Sequence, residues 1–447
     1  MSSSPSVLIV GGGLAGLAAA TALAARGCRV TLLEARQRLG GRASSFTDAP
    51  SGQLVDNCQH VSMGCCTNLA HFFQSVGVRH FLQPQECLYF MTPDGRVSRL
   101  RADPLPAPLH LARSFLSAHY LTAGEKARIA WGLAALKRMP RDADPPLRGW
   151  LEAHRQTPRT MARFWGLILT SALNETVDRL GVRYARKVFV DAFLGHRRGF
   201  QVEVPAVPLG RLYGDELQTW LDKHGVTVRL QEGIKRVVVA AGQVAALETR
   251  QGERLQADHY AAAVPYERLL DLLPAATIEQ HACFAGLRRL ETSPIASVHL
   301  WYEGRVLKWP HLVLIDTLGQ WVFERGSDES GVQYVQVVIS AARGLGHAEL
   351  EERVKEELAR LLPAAASTRV VRCRVVTEHA ATFSAVPGVD AYRPGQETPL
   401  GNLFLAGDWT ATGWPATMEG AVRSGYLCAE AILRRAERPA RIVLPDL

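Results

Sequence analysis

The sequence predicts an α/β fold: a Rossmann-like domain assembled from separate stretches, a mixed α+β layer and a helical insert. Three observations carry this prediction. Val7 to Arg42 reads as strand, glycine turn, helix and strand. Helical apolar periodicity dominates Leu109 to Phe193. A second strand–turn–helix unit, again with glycine at its turn, stands near the C-terminus, from Asn402 to Leu433.

The first unit begins with the apolar run Val7, Leu8, Ile9 and Val10. Gly11, Gly13 and Gly16 then form G-x-G-x-x-G, with Leu14 and Ala15 inside it. Leu17 to Ala25 is Ala/Leu-rich and closes at Gly27, and Arg29 to Leu33 leads to Glu34. The first glycine permits a tight turn, the second lets backbone approach a pyrophosphate, and the third lets helix pack on strand. Free N–H groups and the positive helix end face the phosphates. Glu34 accepts from a ribose diol. A glycine turn without a ligand is the plain alternative. The flanking strand and helix, with the acid at the expected spacing, favour a dinucleotide.

Ala35-Arg36 and Arg38-Leu39-Gly40-Gly41-Arg42 follow. Two glycines between arginines let the backbone pass close to another phosphate or a flavin edge, and arginine pairs with phosphate in fork geometry. This E-A-x-x-x-x-G-G-R run resembles the FAD-dependent amine oxidase and carotenoid desaturase superfamily, and the resemblance implies FAD. Near the C-terminus, Asn402 to Ala406 reads as a buried strand before Gly407-Asp408-Trp409. Gly407 lets the chain approach the cofactor. Asp408 binds a ribityl hydroxyl or accepts near the pyrophosphate, or else is a turn residue. The helix opening near Thr417 and Met418 aims N–H groups at the flavin pyrimidine end.

The stretches between are weaker. Asp56-Asn57-Cys58-Gln59-His60 is either an active-site wall or an exposed loop. Cys87 to Met91 and Val97 to Leu100 flank Pro93-Asp94-Gly95, a hairpin signal. Residues 102–108 are proline-rich and mark a junction. Leu109 to Met139 reads helical throughout, with Thr122 and Glu125 as a capping box. The helical insert either caps an apolar tunnel opening at a membrane surface or buries only itself. Strands at 226–230, 233–237, 244–249 and 258–265 return to the first unit, and in the resembled superfamily a strand near Val237 supplies backbone contacts to adenine. Residues 293–302, 309–317, 320–325 and 334–340 alternate as strands, and His347 to Leu362 is an amphipathic helix. The expected division is an FAD-binding domain at 1–100, 206–285 and 376–447, a helical cap at 101–205 and a substrate domain at 286–375.

The chain has 447 residues, 47% apolar and 21% charged, a folded composition. It holds no long uncharged apolar run, and no basic segment precedes Val7, so a cytoplasmic location is expected, with peripheral membrane contact left open. The net charge of +8 is spread over arginine-rich faces. It suits an anionic membrane surface or a prenyl diphosphate, and also ordinary arginine-rich composition. No motif supports nucleic-acid binding. Eight cysteines fit no zinc or iron–sulfur spacing, so no metal is expected.

A closer resemblance runs through Asp56-Asn57-x-Gln59-His60, Ser293-Pro294-Ile295, Val298-His299-Leu300-Trp301, Gln320 to Arg325, Thr382-Phe383-Ser384, Leu405 to Thr410 and Met418 to Gly425. Here the chain resembles the hydroxysqualene dehydroxylases, squalene-associated FAD-dependent desaturase homologues of bacterial hopanoid pathways. It departs at Cys58, where that family's pattern has glycine. The resemblance implies reductive removal of the hydroxyl of hydroxysqualene to give squalene, with an electron donor that the sequence does not name. Asp56 or His60 is then the candidate acid, or both merely brace their loop. Trp301, Trp321, Phe323 and Trp414 are candidates to face a cationic carbon. A carotenoid-type desaturase, a flavin amine oxidase and a non-enzymatic prenyl-protein escort are the alternatives.

Overall fold

The structure is a computed structural model that describes residues 4–50 and 52–447. Ser6–Val10 forms the central strand of a five-stranded parallel sheet, ordered Thr227–Arg229, Arg29–Leu33, Ser6–Val10, His259–Ala262, Leu403–Leu405. Four strands of this sheet are apolar runs because both faces are covered. Strands distant in sequence thus stack beside the first unit, as expected for a discontinuous domain. A three-stranded antiparallel meander, Ile234–Ala240, Gln243–Thr249 and Arg254–Leu255, adjoins it.

Helix Leu14–Ala24, all but its last residue buried, packs against the long C-terminal helix Met418–Arg435. Gly425 sets their separation: a Cβ there would lie 2.3 Å from the Ala15 carbonyl oxygen and 2.9 Å from Ala18 Cβ. Gly425→Val therefore forces apart two helices that hold the cofactor-binding ends together. We expect a loss of about 3 kcal/mol, read as a lowered urea midpoint. An unchanged midpoint refutes the tight contact.

The second sheet has seven strands, ordered Val370–Phe383, Thr292–Tyr302, Gln333–Ser340, Trp321–Ser327, His311–Leu314, Cys87–Met91, Val97–Arg101. Two expected boundaries are corrected here. The hairpin of Cys87–Met91 and Val97–Arg101, assigned to the first domain piece, belongs to this sheet through parallel pairing of Phe90 with Val313. Turn chemistry specifies a hairpin, not the sheet that it joins. Strand Val370–Phe383 also runs past the expected break at 375. One face of the sheet packs on helix His347–Leu361 through Leu350, Val354, Leu358 and Leu361. The other face turns toward the helical insert.

The insert is more broken than its periodicity suggests. A short 3₁₀ turn, Leu109–Leu111, leads into helix Ala112–Ser117, and helix Ala123–Arg138 starts afresh. The capping box is present: Glu125 N–H donates to Thr122 Oγ1 at 3.3 Å, and Thr122 N–H to Glu125 Oε2 at 2.8 Å. A cap inside a helical run marks a helix start, which is the reason for the break. Wide helical turns at Met161–Gly166 and Lys187–Phe193 follow.

His311 sits fully buried in the second sheet between Tyr89, Trp321 and Phe323, with neither ring nitrogen hydrogen-bonded among the described residues. Burial lowers its pKa to about 4, and that of His299, with help from Arg325, to about 3. Both are neutral in the fold, whereas the unfolded chain takes up protons below pH 6.5. The contribution of these two groups is therefore present above pH 6.5 and is lost as pH falls from 6.5 toward 4 for His311 and toward 3 for His299, by up to about 1.4 kcal/mol per unit for each group. Urea unfolding at pH 5 and pH 7 checks this, and His311→Phe reduces the difference. Equal reductions in wild type and variant sink the assignment.

Candidate functional site

One continuous cavity of about 740 Å³ lies between the two sheets and the insert. Its first half is the glycine cradle. Gly11 has φ of 110°, and a Cβ on it would lie 2.5 Å from the Ala263 carbonyl oxygen. A Cβ on Gly16 would lie 1.9 Å from the Gly11 carbonyl oxygen. Gly13 differs: a Cβ there meets only Gly41 Cα, at 3.9 Å, so its open side is the cavity. Gly13 also begins helix Leu14–Ala24 with no side-chain cap, leaving the N–H groups of the first turn toward that space. Leu14 and Ala15 line the same wall.

Glu34 is buried in this wall. Its Oε2 accepts from Gly12 N–H at 2.7 Å and its Oε1 from Arg36 N–H at 2.8 Å, which fixes the carboxylate beside Ala35 and Arg36. The second glycine turn is pinned to the first by Gly40 N–H donating to the Gly12 carbonyl at 2.9 Å. Gly40 and Gly41 both have positive φ. Arg42 donates to Asp408 Oδ1 at 2.7 Å and to the Ala381 carbonyl at 2.6 Å. Burial opposes the Arg42 charge, but Asp408 outweighs it and raises the pKa. This ion pair joins the first and last pieces of the chain at the cavity wall.

At the far end of the cradle, Gly407 N–H donates to Ser424 Oγ at 2.8 Å. A Cβ on Gly407 would lie 2.3 Å from the Trp409 ring. Thr417 caps helix Met418–Arg435 by accepting from Gly420 N–H at 3.0 Å, and Thr417 and Met418 line the cavity. Glu419, fully buried, accepts from Asn68 N–H at 3.2 Å and from Leu69 N–H at 2.7 Å. It thereby anchors helix Thr67–Ser75 to this terminus. Sequence reading did not single out Glu419 as this tie; only the folded chain brings it to Asn68.

Two uncapped or lightly capped helix starts, a buried acid between them and an open glycine face fit the phosphates, ribose and ring of FAD. Val237 is placed differently from expectation. Its side chain lies in the core opposite Leu247, and Gly233 and Ile234 line the cavity instead. Gly233 and Ile234 stand at the start of strand Ile234–Ala240, the end that reaches the wall, while Val237 lies further along it.

The second half of the cavity is apolar. Leu88, Phe90, Val313, Trp321, Phe323 and Val338 come from the seven-stranded sheet, facing Leu167, Ile168 and Phe193 of the insert. The rings of Trp321 and Phe323 stack at 5.5 Å, and Trp414 also lines the cavity. Trp301 does not; it stacks on Tyr334 at 4.7 Å beneath the Arg372 guanidinium. Asn174, in the left-handed region at φ 53°, donates to the Ser293 carbonyl at 3.0 Å and Thr382 Oγ1 at 2.9 Å, and accepts from Ala341 N–H at 2.7 Å.

Asp56 and His60 separate cleanly. Asp56 is buried behind the wall: Oδ1 accepts from Ser45 Oγ at 2.5 Å and Leu209 N–H at 2.8 Å, and Oδ2 pairs with Arg325 at 3.0 Å. Its acceptor sites are filled by protein donors away from the cavity, so it braces and is not the acid. His60 does line the cavity. Its Nδ1 donates to the Cys58 carbonyl at 2.9 Å, which leaves Nε2 as an acceptor without a partner among the described residues. Burial lowers its pKa, so it is neutral at pH 7. Neighbouring Asn57 donates to the Arg42 carbonyl, joining this loop to the cradle. Cys58 also lines the cavity, its thiol pushed up to about 12 by burial and by Asp56.

A family model described as flavin containing amine oxidoreductase matches residues 14–433. The chain is 26% identical to 15-cis-phytoene desaturase of Synechococcus elongatus over 467 residues, covering 97% of each. It is 27% identical to the chloroplastic/chromoplastic 15-cis-phytoene desaturase of Solanum lycopersicum, over 96% of this chain and 77% of that one. An oxidoreductase from Methanosarcina mazei shares the fold with a TM-score of 0.71 at 16% identity, covering 94% and 98% of the two chains. Cyclohexylamine oxidase from Brevibacterium oxydans does so with a TM-score of 0.69 at 20% identity, covering 97% and 100%. With the family match spanning both halves of the cradle, the chain belongs to the flavin-containing amine oxidoreductases, and its cofactor is FAD.

Proposed function

We propose that this FAD-dependent oxidoreductase removes the hydroxyl of hydroxysqualene reductively, giving squalene. The observation that carries the reading is the shape of the cavity: an FAD cradle opening directly into an apolar lobe walled by aromatic rings, with one imidazole, His60, on its surface. Bound FAD supplies two-electron hydride chemistry. The chain's own residues do the rest. The lobe takes the hydrocarbon and keeps water from an allylic carbon that turns positive as its C–O bond breaks. The faces of Trp321 and Phe323 favour that charge. His60 Nε2 accepts from the hydroxyl and orients it, and its protonated form, more populated at lower pH, passes a proton to the departing oxygen. The desaturase names of the relatives support a second reading, oxidation of a polyene in the same lobe.

Anaerobic incubation of the reduced holoenzyme with hydroxysqualene, followed by mass spectrometry, tests the proposal. Squalene is the expected product. No squalene, together with oxidation of phytoene when an acceptor is supplied, overturns it. His60→Ala is expected to lower turnover about 100-fold with an unchanged flavin spectrum.

A further inference from the structure

The turn from Gly407 to Trp414 carries the second half of the cradle and has no helix or strand of its own. Its buried carbonyl groups need partners elsewhere in the fold. One side chain supplies several of them. The Arg393 side chain has no solvent exposure. Its Nε donates to the Trp409 carbonyl at 3.3 Å, and its Nη2 to those of Asp408 at 3.1 Å, Trp414 at 2.8 Å and Thr410. One guanidinium thus gathers the turn from Asp408, the partner of Arg42, to Trp414, three positions before the helix cap Thr417. The neighbouring backbone runs alongside: Ala411 N–H donates to the Pro394 carbonyl at 2.8 Å and Leu405 N–H to that of Gln396 at 2.8 Å. A planar fork of donors suits this task, and lysine has no equivalent.

The charges behind the turn do not cancel. Arg393 Nη1 donates to Asp390 Oδ1 at 2.7 Å, and Arg183 pairs with Asp390 Oδ2 at 3.0 Å. Tyr184 O–H donates to Asp390 Oδ1 at 2.6 Å and accepts from Arg393. Neither arginine has another carboxylate partner among the described residues. Two guanidinium groups therefore share one carboxylate, and the cluster keeps an excess positive charge.

That charge is shut away from water. The Arg393 guanidinium lies over the Phe383 ring, 4.5 Å from its centroid, and Tyr184 beside it is buried. Asp408, Trp409 and Trp414, which Arg393 holds by their carbonyls, all line the cavity. The turn thus stands between Arg393 and the cavity. A buried charge is screened far less than a surface one, so its field reaches across the turn.

We propose that Arg393 is a positioning residue for the flavin in two ways. Its fork fixes the turn from Asp408 to Trp414, and the excess charge that it carries with Arg183 and Asp390 favours the reduced, anionic flavin over the oxidised, neutral one. This role needs bound FAD and is independent of hydroxysqualene as substrate.

Titration of the apoprotein with FAD reads the turn, and equilibration of the holoenzyme with a redox dye of known potential reads the charge. Arg393→Lys keeps the charge and loses the fork. Its FAD affinity is expected to fall about 10-fold or more, with the redox equilibrium near that of wild type. Asp390→Asn removes the shared negative charge and keeps an acceptor for Tyr184. It should move the equilibrium about tenfold toward reduced flavin, or about 30 mV for a two-electron couple. Arg183→Met removes a positive charge, and Arg183 bonds to no residue of the turn among the described residues. It should move the equilibrium the other way, by less, because Arg183 is partly exposed. Loosened packing alone would not give the two substitutions opposite signs. An Arg393→Lys protein with wild-type FAD affinity overturns the fork's role. Unchanged potentials in both Asp390→Asn and Arg183→Met, or shifts of the same sign, overturn the charge's role. Both measurements can be read even if hydroxysqualene gives no squalene.

Discussion

Gly13→Val is expected to give a folded but colourless protein. Gly13 has φ of −77°, which valine adopts without strain, and no backbone stands where the new Cβ would go. The side chain instead fills the space before the first turn of helix Leu14–Ala24, where the pyrophosphate must meet free N–H groups. Losing those bonds costs about 3 kcal/mol, or roughly 100-fold in FAD affinity. Absorbance at the flavin bands after purification, and titration of the apoprotein with FAD, read the effect. Gly16→Val is the contrast. Its Cβ would collide with the Gly11 carbonyl oxygen at 1.9 Å, so that variant fails to fold. A yellow Gly13→Val protein with wild-type affinity refutes the cradle.

Asp56→Ala is expected to destabilise the fold by about 3–5 kcal/mol, because it leaves Arg325, only 12% exposed at its side chain, without its carboxylate. Ser45 and Leu209 lose an acceptor at the same time. Asp56→Asn keeps the acceptor for Ser45 and Leu209 but loses the charge and turns an NH2 toward Arg325, so its cost is smaller than that of Asp56→Ala but not zero. Adding Arg325→Met to Asp56→Ala recovers part of the loss. Urea unfolding measures stability, and turnover per bound flavin measures chemistry. A bracing role predicts lowered stability with near-normal turnover in the folded fraction. An Asp56→Asn protein of wild-type stability that cannot turn over makes Asp56 chemical after all.

These two sites show how legible the chain was. The Gly11–Gly16 turn and Glu34 act within one βαβ unit, and local spacing dictates their geometry. The same holds for the Gly407–Met418 turn and for the Thr122–Glu125 cap. Asp56 and His60 stand four positions apart in one polar stretch. Composition treats them alike, and only packing separates them. Arg325, Ser45 and Leu209 converge on Asp56 from three distant parts of the chain, while His60 falls on the cavity side. Val237 shows the same limit, since only the folded chain shows that the start of its strand, Gly233 and Ile234, reaches the wall while Val237 packs in the core.

By itself the sequence determined the first βαβ unit and its dinucleotide cradle, because strand periodicity, glycine positions and helix starts act over a few residues, and the resemblance to the superfamily implied the discontinuous assembly around it. Only the tertiary structure decided that the Cys87–Arg101 hairpin completes the second sheet, that Arg42 meets Asp408, and that Trp321 and Phe323 wall the lobe while Trp301 does not. Those outcomes depend on long-range pairing and on which face of a strand meets a neighbour. Alternating apolar residues specify that a face is buried, and the partner that buries it is chosen by the whole fold.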